Sequence, residues 1–204
     1  DDVERAAPLF FVPDCTLLLG DAHELGIASP EQLLGGVVPH EFVATKSITH
    51  PLCTDARNVP TGWSAALGAA LDEVTLPGFA AFALDDAARA GRALLDAGMP
   101  LRIKPGDGIG GLGQAVASDR KTLDAALAQL DDERIARIGL VVELNLKPVK
   151  TYSTGTLAVG PHRISYFGMQ QLTRNHHGAQ VYGGSTLTCV RGRMVGLARA
   201  VDDG

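Results

Sequence analysis

Residues 101–116 read LRIKPGDGIGGLGQAV, and the rest of the chain is organised around them. Leu101 and Ile103 alternate with Arg102 and Lys104, the period of a half-buried strand, and Pro105 then removes a ladder donor. Gly106, Gly108, Gly110, Gly111 and Gly113 follow. A backbone with so few Cβ atoms takes positive φ freely and can turn several N–H groups toward one anion. Beside Lys104, such a loop suits a polyphosphate. Gln114–Val116 resembles a second strand, and Ser118 suits the N-cap of a helix in which Leu123, Ala126, Leu127 and Leu130 recur at helical spacing. Asp131–Arg134 reads as the polar exit of that helix.

Two nucleotide motifs can be set aside. A P-loop needs GxxxxGK[ST], but Gly113 is followed by Gln114-Ala115, without lysine or hydroxyl. Gly108-x-Gly110 and Gly113 match GxGxxG formally, yet that fingerprint opens a helix at its third glycine, and here a strand follows. What remains is a glycine flap joining two antiparallel strands, with a lysine on the first. A plain hairpin loop is the alternative, since glycine alone does not prove a ligand.

Moving outward, Trp63, Ala66, Leu67, Ala70, Leu71 and Val74 fall on one helical face, which makes Trp63 a core residue. Phe79–Ala83 is a short strand. A helix led by Asp85-Asp86 carries Ala87, Ala90, Leu94 and Leu95 inward, and Gly98 ends it. Residues 139–146, GLVVELNL, form a deeply placed strand. Nearer the N-terminus, Leu9–Val12 and Thr16–Leu19 are short apolar runs, Ser29-Pro30 opens a brief helix, Val37–Val43 is a strand and Thr45–Leu52 holds one or two helical turns. In the C-terminal part, Thr151–Val159 and His162–Gly168 predict a hairpin about Gly160-Pro161, with 172–178 a polar loop, 187–190 a last strand, and a helix through Val195 and Ala198. The class is mixed α/β, with α+β lobes.

Composition narrows the function. The 204 residues are 46% hydrophobic and 20% charged, with net charge −5, enough for a sizeable core and without a basic field for nucleic acid or anionic lipid. Cys15, Cys53 and Cys189 lack CxxC spacing, so neither a disulfide framework nor a zinc site is indicated and a reducing cytoplasm is the simplest location. No apolar run of about 18 residues suggests a membrane span. The chain does not begin with Met, and the expectation is that it is part of a longer protein.

The ordered set LPGFAAF at 76–82, MPLRIKP at 99–105, GIGGLGQAV at 108–116 and VVELNL at 141–146, with helices between them, resembles the ATP-grasp superfamily. FVATKSITHPL at 42–52 is similar to its first-lysine element, and VYGGSTLTCVRG at 181–192 to a late segment of its core lobe. The arrangement is most similar to an uncharacterised bacterial family of ATP-grasp-like proteins. The resemblance implies two lobes with mainly antiparallel sheets and a nucleotide cleft between them. Residues 1–36 would be the remnant of a preceding N-terminal domain or lobe, 37–75 a linker with the first lysine, 76–147 the small lobe with its flap, and 148–204 part of an incomplete core lobe. Lys46 and Lys104 would contact ATP phosphates, Gly108, Gly110, Gly111 and Gly113 would fold over them, and Glu143, Leu144, Asn145 and Leu146 would read adenine and ribose. The implied activity is an ATP- and Mg2+-dependent ligase that converts a small-molecule carboxylate to an acylphosphate for attack by an amine or other nucleophile. A homodimer is compatible with it.

One departure carries an alternative. The late acidic residues and asparagine that hold magnesium in such enzymes do not follow Leu187, where only Asp202 and Asp203 occur. A non-catalytic nucleotide-binding or regulatory module is therefore the second reading, and the catalytic residues and metal ligands stay unassigned. Arg174 and Arg191 are candidates for an anionic substrate. A metal-dependent hydrolase using His50, His176 and His177 is a third, weaker reading, since adjacent histidines in a polar loop are more often solvated.

Overall fold

The computed structural model describes residues 9–109, 113–174, 176, 178 and 180–202. Gly110, Gly111, His177 and Asp203 among the candidates above lie outside the described residues. The fold is mixed α/β with antiparallel sheets, in two compact units: residues 11–146, and residues 1–10 with 147–204.

The larger unit begins with β1 (Leu17–Leu18), which runs straight into α1 (Leu19–Glu24) and pairs in parallel with β2 (Val37–Val38). A 3-10 turn at Pro30–Gln32 replaces the expected brief helix. Ser29 and Gln32 cap it reciprocally. The strand expected over 37–43 stops after Val38, because Glu41–Ala44 and then Lys46–Thr49 coil into 3-10 turns. The second turn is started by the Thr45 hydroxyl, which accepts from the Ser47 N–H at 3.1 Å.

α2 (Ala65–Leu71) precedes a four-stranded sheet with the order β3-β6-β4-β5, every pair antiparallel. These strands are β3 (Gly78–Ala81), β4 (Leu101–Pro105), β5 (Ala115–Ala117) and β6 (Leu140–Leu144). α3 (Leu84–Asp96) links β3 to β4, while α4 (Arg120–Leu127) and α5 (Asp132–Ile138) link β5 to β6. One sheet face packs Leu101, Ile103, Leu140 and Val142 against Ala87, Leu94, Leu123, Leu127 and Ile135 of the helices, as the spacing of Ala87, Leu94, Leu123 and Leu127 predicts. Gly91 lets α3 and α4 meet: a Cβ there would lie 2.7 Å from a Leu123 methyl.

Two boundaries differ from expectation. Asp119, rather than Ser118, caps α4, because its carboxylate accepts from the Thr122 N–H at 2.7 Å. Asp131–Arg134 is the start of α5 instead of an exit: Asp131 accepts from the Arg134 N–H at 3.1 Å. Trp63 joins Phe42 and Phe82 in an aromatic cluster with ring centroids 5.4–5.9 Å apart.

In the smaller unit, β7 (Tyr152–Val159), β8 (His162–Arg174) and β9 (Gln180–Arg191) form an antiparallel meander, with α6 (Met194–Asp202) packed on it through Leu197. The predicted hairpin turn is present, with Gly160 at φ +53. The polar stretch after Leu172 continues β8 as far as Arg174, opposite Gln180, so the second hairpin is longer than its apolar residues suggest. Among the described residues no helix is long and apolar enough to cross a membrane.

Candidate functional site

The sheet face away from α3 and α4 carries the candidate site. Strand alternation puts Arg102 and Lys104 there from β4, and Glu143 there from β6, where it stands directly opposite Arg102 in the register. Part of this face is closed by the chain from Lys46 to Leu52, which runs beside β3: the Ala80 N–H donates to the Pro51 carbonyl at 2.8 Å, and Leu52 bridges to Ala80. That cover explains why β6 starts as a continuous apolar run, with Val141 buried on this side and Val142 on the other. It also carries His50 in beside Glu143.

Glu143 is the hub. Its side chain is 7% exposed, and a carboxylate so placed is costly without partners. One oxygen accepts from the Lys104 ammonium and the other lies 3.5 Å from His50 Nε2. Directly across the strand pair sits Gly78, where a Cβ would come within 2.7 Å of the Glu143 Cβ. His50 is itself buried, with Nε2 3.1 Å from the Leu76 carbonyl and Nδ1 2.9 Å from the Thr49 hydroxyl. Burial pulls its pKa below the ordinary 6.5, while the Glu143 carboxylate and the Leu76 carbonyl push it upward. Next to this triad Arg102 forks, with Nε and Nη2 donating to Asn145 Oδ1 at 3.1 and 2.9 Å and Nη1 to Gln114 Oε1 at 3.0 Å.

The base of the glycine loop is fastened by the same Lys46–Leu52 segment. The Lys46 ammonium donates to the carbonyls of Pro105, Gly106 and Gly108 at 3.0, 3.0 and 2.7 Å, which uses all three of its donors. Burial, then the nearby Lys104 charge, lower the Lys46 pKa, against Asp107 and Glu143. Gly106 exchanges further bonds with Lys46 and Gly139 through the backbone, and Asp107 receives both contacts of an Arg134 pair at 2.6 and 2.7 Å. Gly106 must be glycine, because a Cβ would meet Ser47 Oγ at 2.7 Å and the Gly139 carbonyl at 2.9 Å.

The predicted residues are thus distributed unevenly. Lys104, Glu143 and Asn145 share one sheet face, and Lys46 and Gly108 meet at the loop base. Gly113 has φ +71, a conformation that glycine adopts without strain. Lys46 is held by loop carbonyls, so its ammonium is committed to the protein in this state. The N–H groups of Leu144 and Asn145 are likewise committed, donating to Pro77 and Pro100 carbonyls at 2.9 and 2.7 Å, while Leu146 is 42% exposed.

Arg174 and Arg191 do not converge: they occupy opposite ends of the β8–β9 ladder, ten residues apart along β8, which is about 33 Å at about 3.3 Å per residue. His50 and His176 belong to different units, and among the described residues no three His, Cys, Asp or Glu side chains are grouped to hold a metal ion. Arg102 and His50 are the members of the cluster that sequence patterning underrates. Arg102 had a signal, since it shares the alternating face of Lys104; His50 had none, because only the fold brings it to Glu143.

None of the curated proteins matches the chain. Residues 1–203 match the family described as "Protein of unknown function (DUF3182)", and the chain belongs to that family.

Proposed function

We propose that this protein binds ATP in the manner of the ATP-grasp superfamily, with the polyphosphate lying over the open part of the four-stranded sheet beside the glycine loop. One observation carries the reading: in a chain of net charge −5, Lys46 and Lys104 lie near one another by the root of the loop and Arg102 stands on the same strand face as Lys104, against Glu143 beside them and an Asp107 already paired with Arg134. Cations in such excess over an acid suit a polyanion. Lys104 would neutralise phosphate charge, Glu143 would hold the Lys104 ammonium in place until the phosphate arrives, and Lys46 would hold the loop root still. Arg102 would keep Asn145 and Gln114 in place beside them. A two-lobe ATP-grasp architecture, with the smaller unit as part of the second lobe, belongs to the same proposal.

The reaction proposed is transfer of the γ-phosphoryl group to a small-molecule carboxylate, giving ADP and an acylphosphate, which an amine or other nucleophile attacks with loss of phosphate. The described residues offer no group of three metal-binding side chains, so no residue is assigned to a magnesium ion. The same observation favours the second reading, a nucleotide-binding regulatory module without turnover. Calorimetric titration with ATP, with and without Mg2+, tests the binding. Lys104→Ala should weaken it by about tenfold or more, the loss of one charge-assisted contact. No binding, or equal binding by the variant, overturns the proposal, and ADP release with a carboxylate and a nucleophile separates ligase from regulator.

A further inference from the structure

Glu143 has two basic partners that cannot be equivalent. Lys104, 23% exposed in its side chain, can reach an incoming anion, whereas His50, at 6%, cannot leave. When a phosphate draws the Lys104 ammonium away, Glu143 is left as a buried carboxylate beside a neutral imidazole, an arrangement that is costly. A proton on His50 removes that cost. Resting on the nucleotide reading above, we propose that capture of a polyphosphate by Lys104 is coupled to proton uptake at His50, which takes over from Lys104 as the cationic partner of Glu143.

The surroundings of His50 accept either protonation state without moving a heavy atom. In the neutral ring, Nε2–H donates to the Leu76 carbonyl and Nδ1 accepts from the Thr49 hydroxyl, 2.9 Å away. In the charged ring, Nδ1–H donates to that hydroxyl, which turns to donate to the Lys46 carbonyl at 2.7 Å. Only a hydroxyl rotor separates the two. The charges that face the imidazole are few: Glu143 from β6 and Lys104 from β4, with Lys46 on its own 3-10 turn already tied to loop carbonyls. β3, and α2 packed behind Pro51, contain no charged residue. Burial keeps the free-state imidazole neutral near pH 7, so the site has a proton to gain.

The test is calorimetry of Mg·ATP binding near neutral pH in PIPES and in Tris, whose different ionisation enthalpies report the protons exchanged. The wild type should take up roughly half a proton or more, and affinity should rise as pH falls, by at most about tenfold per unit for one coupled proton. His50→Gln should bind with that uptake abolished, which also subtracts any protonation of the nucleotide. A second measurement needs no nucleotide: in Lys104→Met, NMR titration of the His50 ring should place its pKa above that of the wild type, and in Glu143→Gln below it. Binding without proton uptake, uptake unchanged in His50→Gln, or a His50 titration indifferent to Lys104→Met each overturns the coupling and leaves the nucleotide reading standing. Absence of any Mg·ATP binding overturns both.

Discussion

Lys46→Met isolates the role of the loop anchor, because it deletes the ammonium and keeps most of the apolar stem. Three carbonyls, of Pro105, Gly106 and Gly108, lose a charged donor at 2.7–3.0 Å. A hydrogen bond to a charged group contributes about 1.5–3 kcal/mol. Lys46 is only partly buried, so water replaces some of each bond, and the cost of desolvating the ammonium is recovered in the variant. A net loss of about 2.5 kcal/mol follows. The assay is urea unfolding followed by fluorescence of Trp63, the single tryptophan of the chain, which packs on Phe42 and Phe82 within the same unit. With a slope of about 2.5 kcal/mol per M, the midpoint should fall by about 1 M at unchanged slope. Lys121→Met, at an exposed position on α4, should leave it nearly unchanged. A Lys46→Met midpoint within about 0.2 M of wild type would refute the anchoring role and return Lys46 to a position with donors to spare for ligand.

Gly106→Ala forces a Cβ against Ser47 Oγ and two backbone carbonyls; a loss of about 3 kcal/mol or more is expected from the overpacking, visible as a collapsed melting transition. Asp86→Ala removes a 1%-exposed carboxylate that accepts from the N–H groups of Arg57 and Asn58 at 2.8 and 3.2 Å and from Arg89 at 2.7 Å; about 3 kcal/mol should be lost, with faster hydrogen exchange at both amides if the carboxylate orders that connector. For pH, the folded pKa of His50 lies below its ordinary 6.5, so between these two values the unfolded chain binds the extra proton. Stability without ligand should therefore hold above about 6.5 and decline below it, and His50→Gln should flatten that slope, as chemical denaturation across pH would measure. An identical slope in the variant would place the titration elsewhere.

Much of the fold was legible locally. The period-2 alternation of Leu101–Lys104 and the 3,4 spacing in α3 and α4 each report which side of an element meets the core, and β4, α3 and α4 stand where those patterns put them. Boundaries were less legible where two residues compete for one cap. Ser118 and Asp119 can both accept from a helix N-terminus, and the carboxylate, the stronger acceptor, prevails. Val37–Val43 has strand-forming residues, yet the Thr45 hydroxyl and the packing of Phe42 against Trp63 and Phe82 favour 3-10 turns over a longer β2. Propensity lost there to tertiary contacts.

By itself, the sequence determined that Arg102 and Lys104 lie on one strand face, that a glycine-dense loop follows, and that a charged residue, Glu143, interrupts a buried strand; these are properties of neighbours along the chain. Only the tertiary structure decided what those charges meet. The β4–β6 register puts Glu143 within reach of Lys104, the Lys46–Leu52 segment beside β3 delivers His50 to the second carboxylate oxygen, and the same segment spends Lys46 on the loop carbonyls. Each partner is far away in sequence. No spacing rule could pair them, because a buried charge is satisfied by whichever group the packing brings within hydrogen-bond distance.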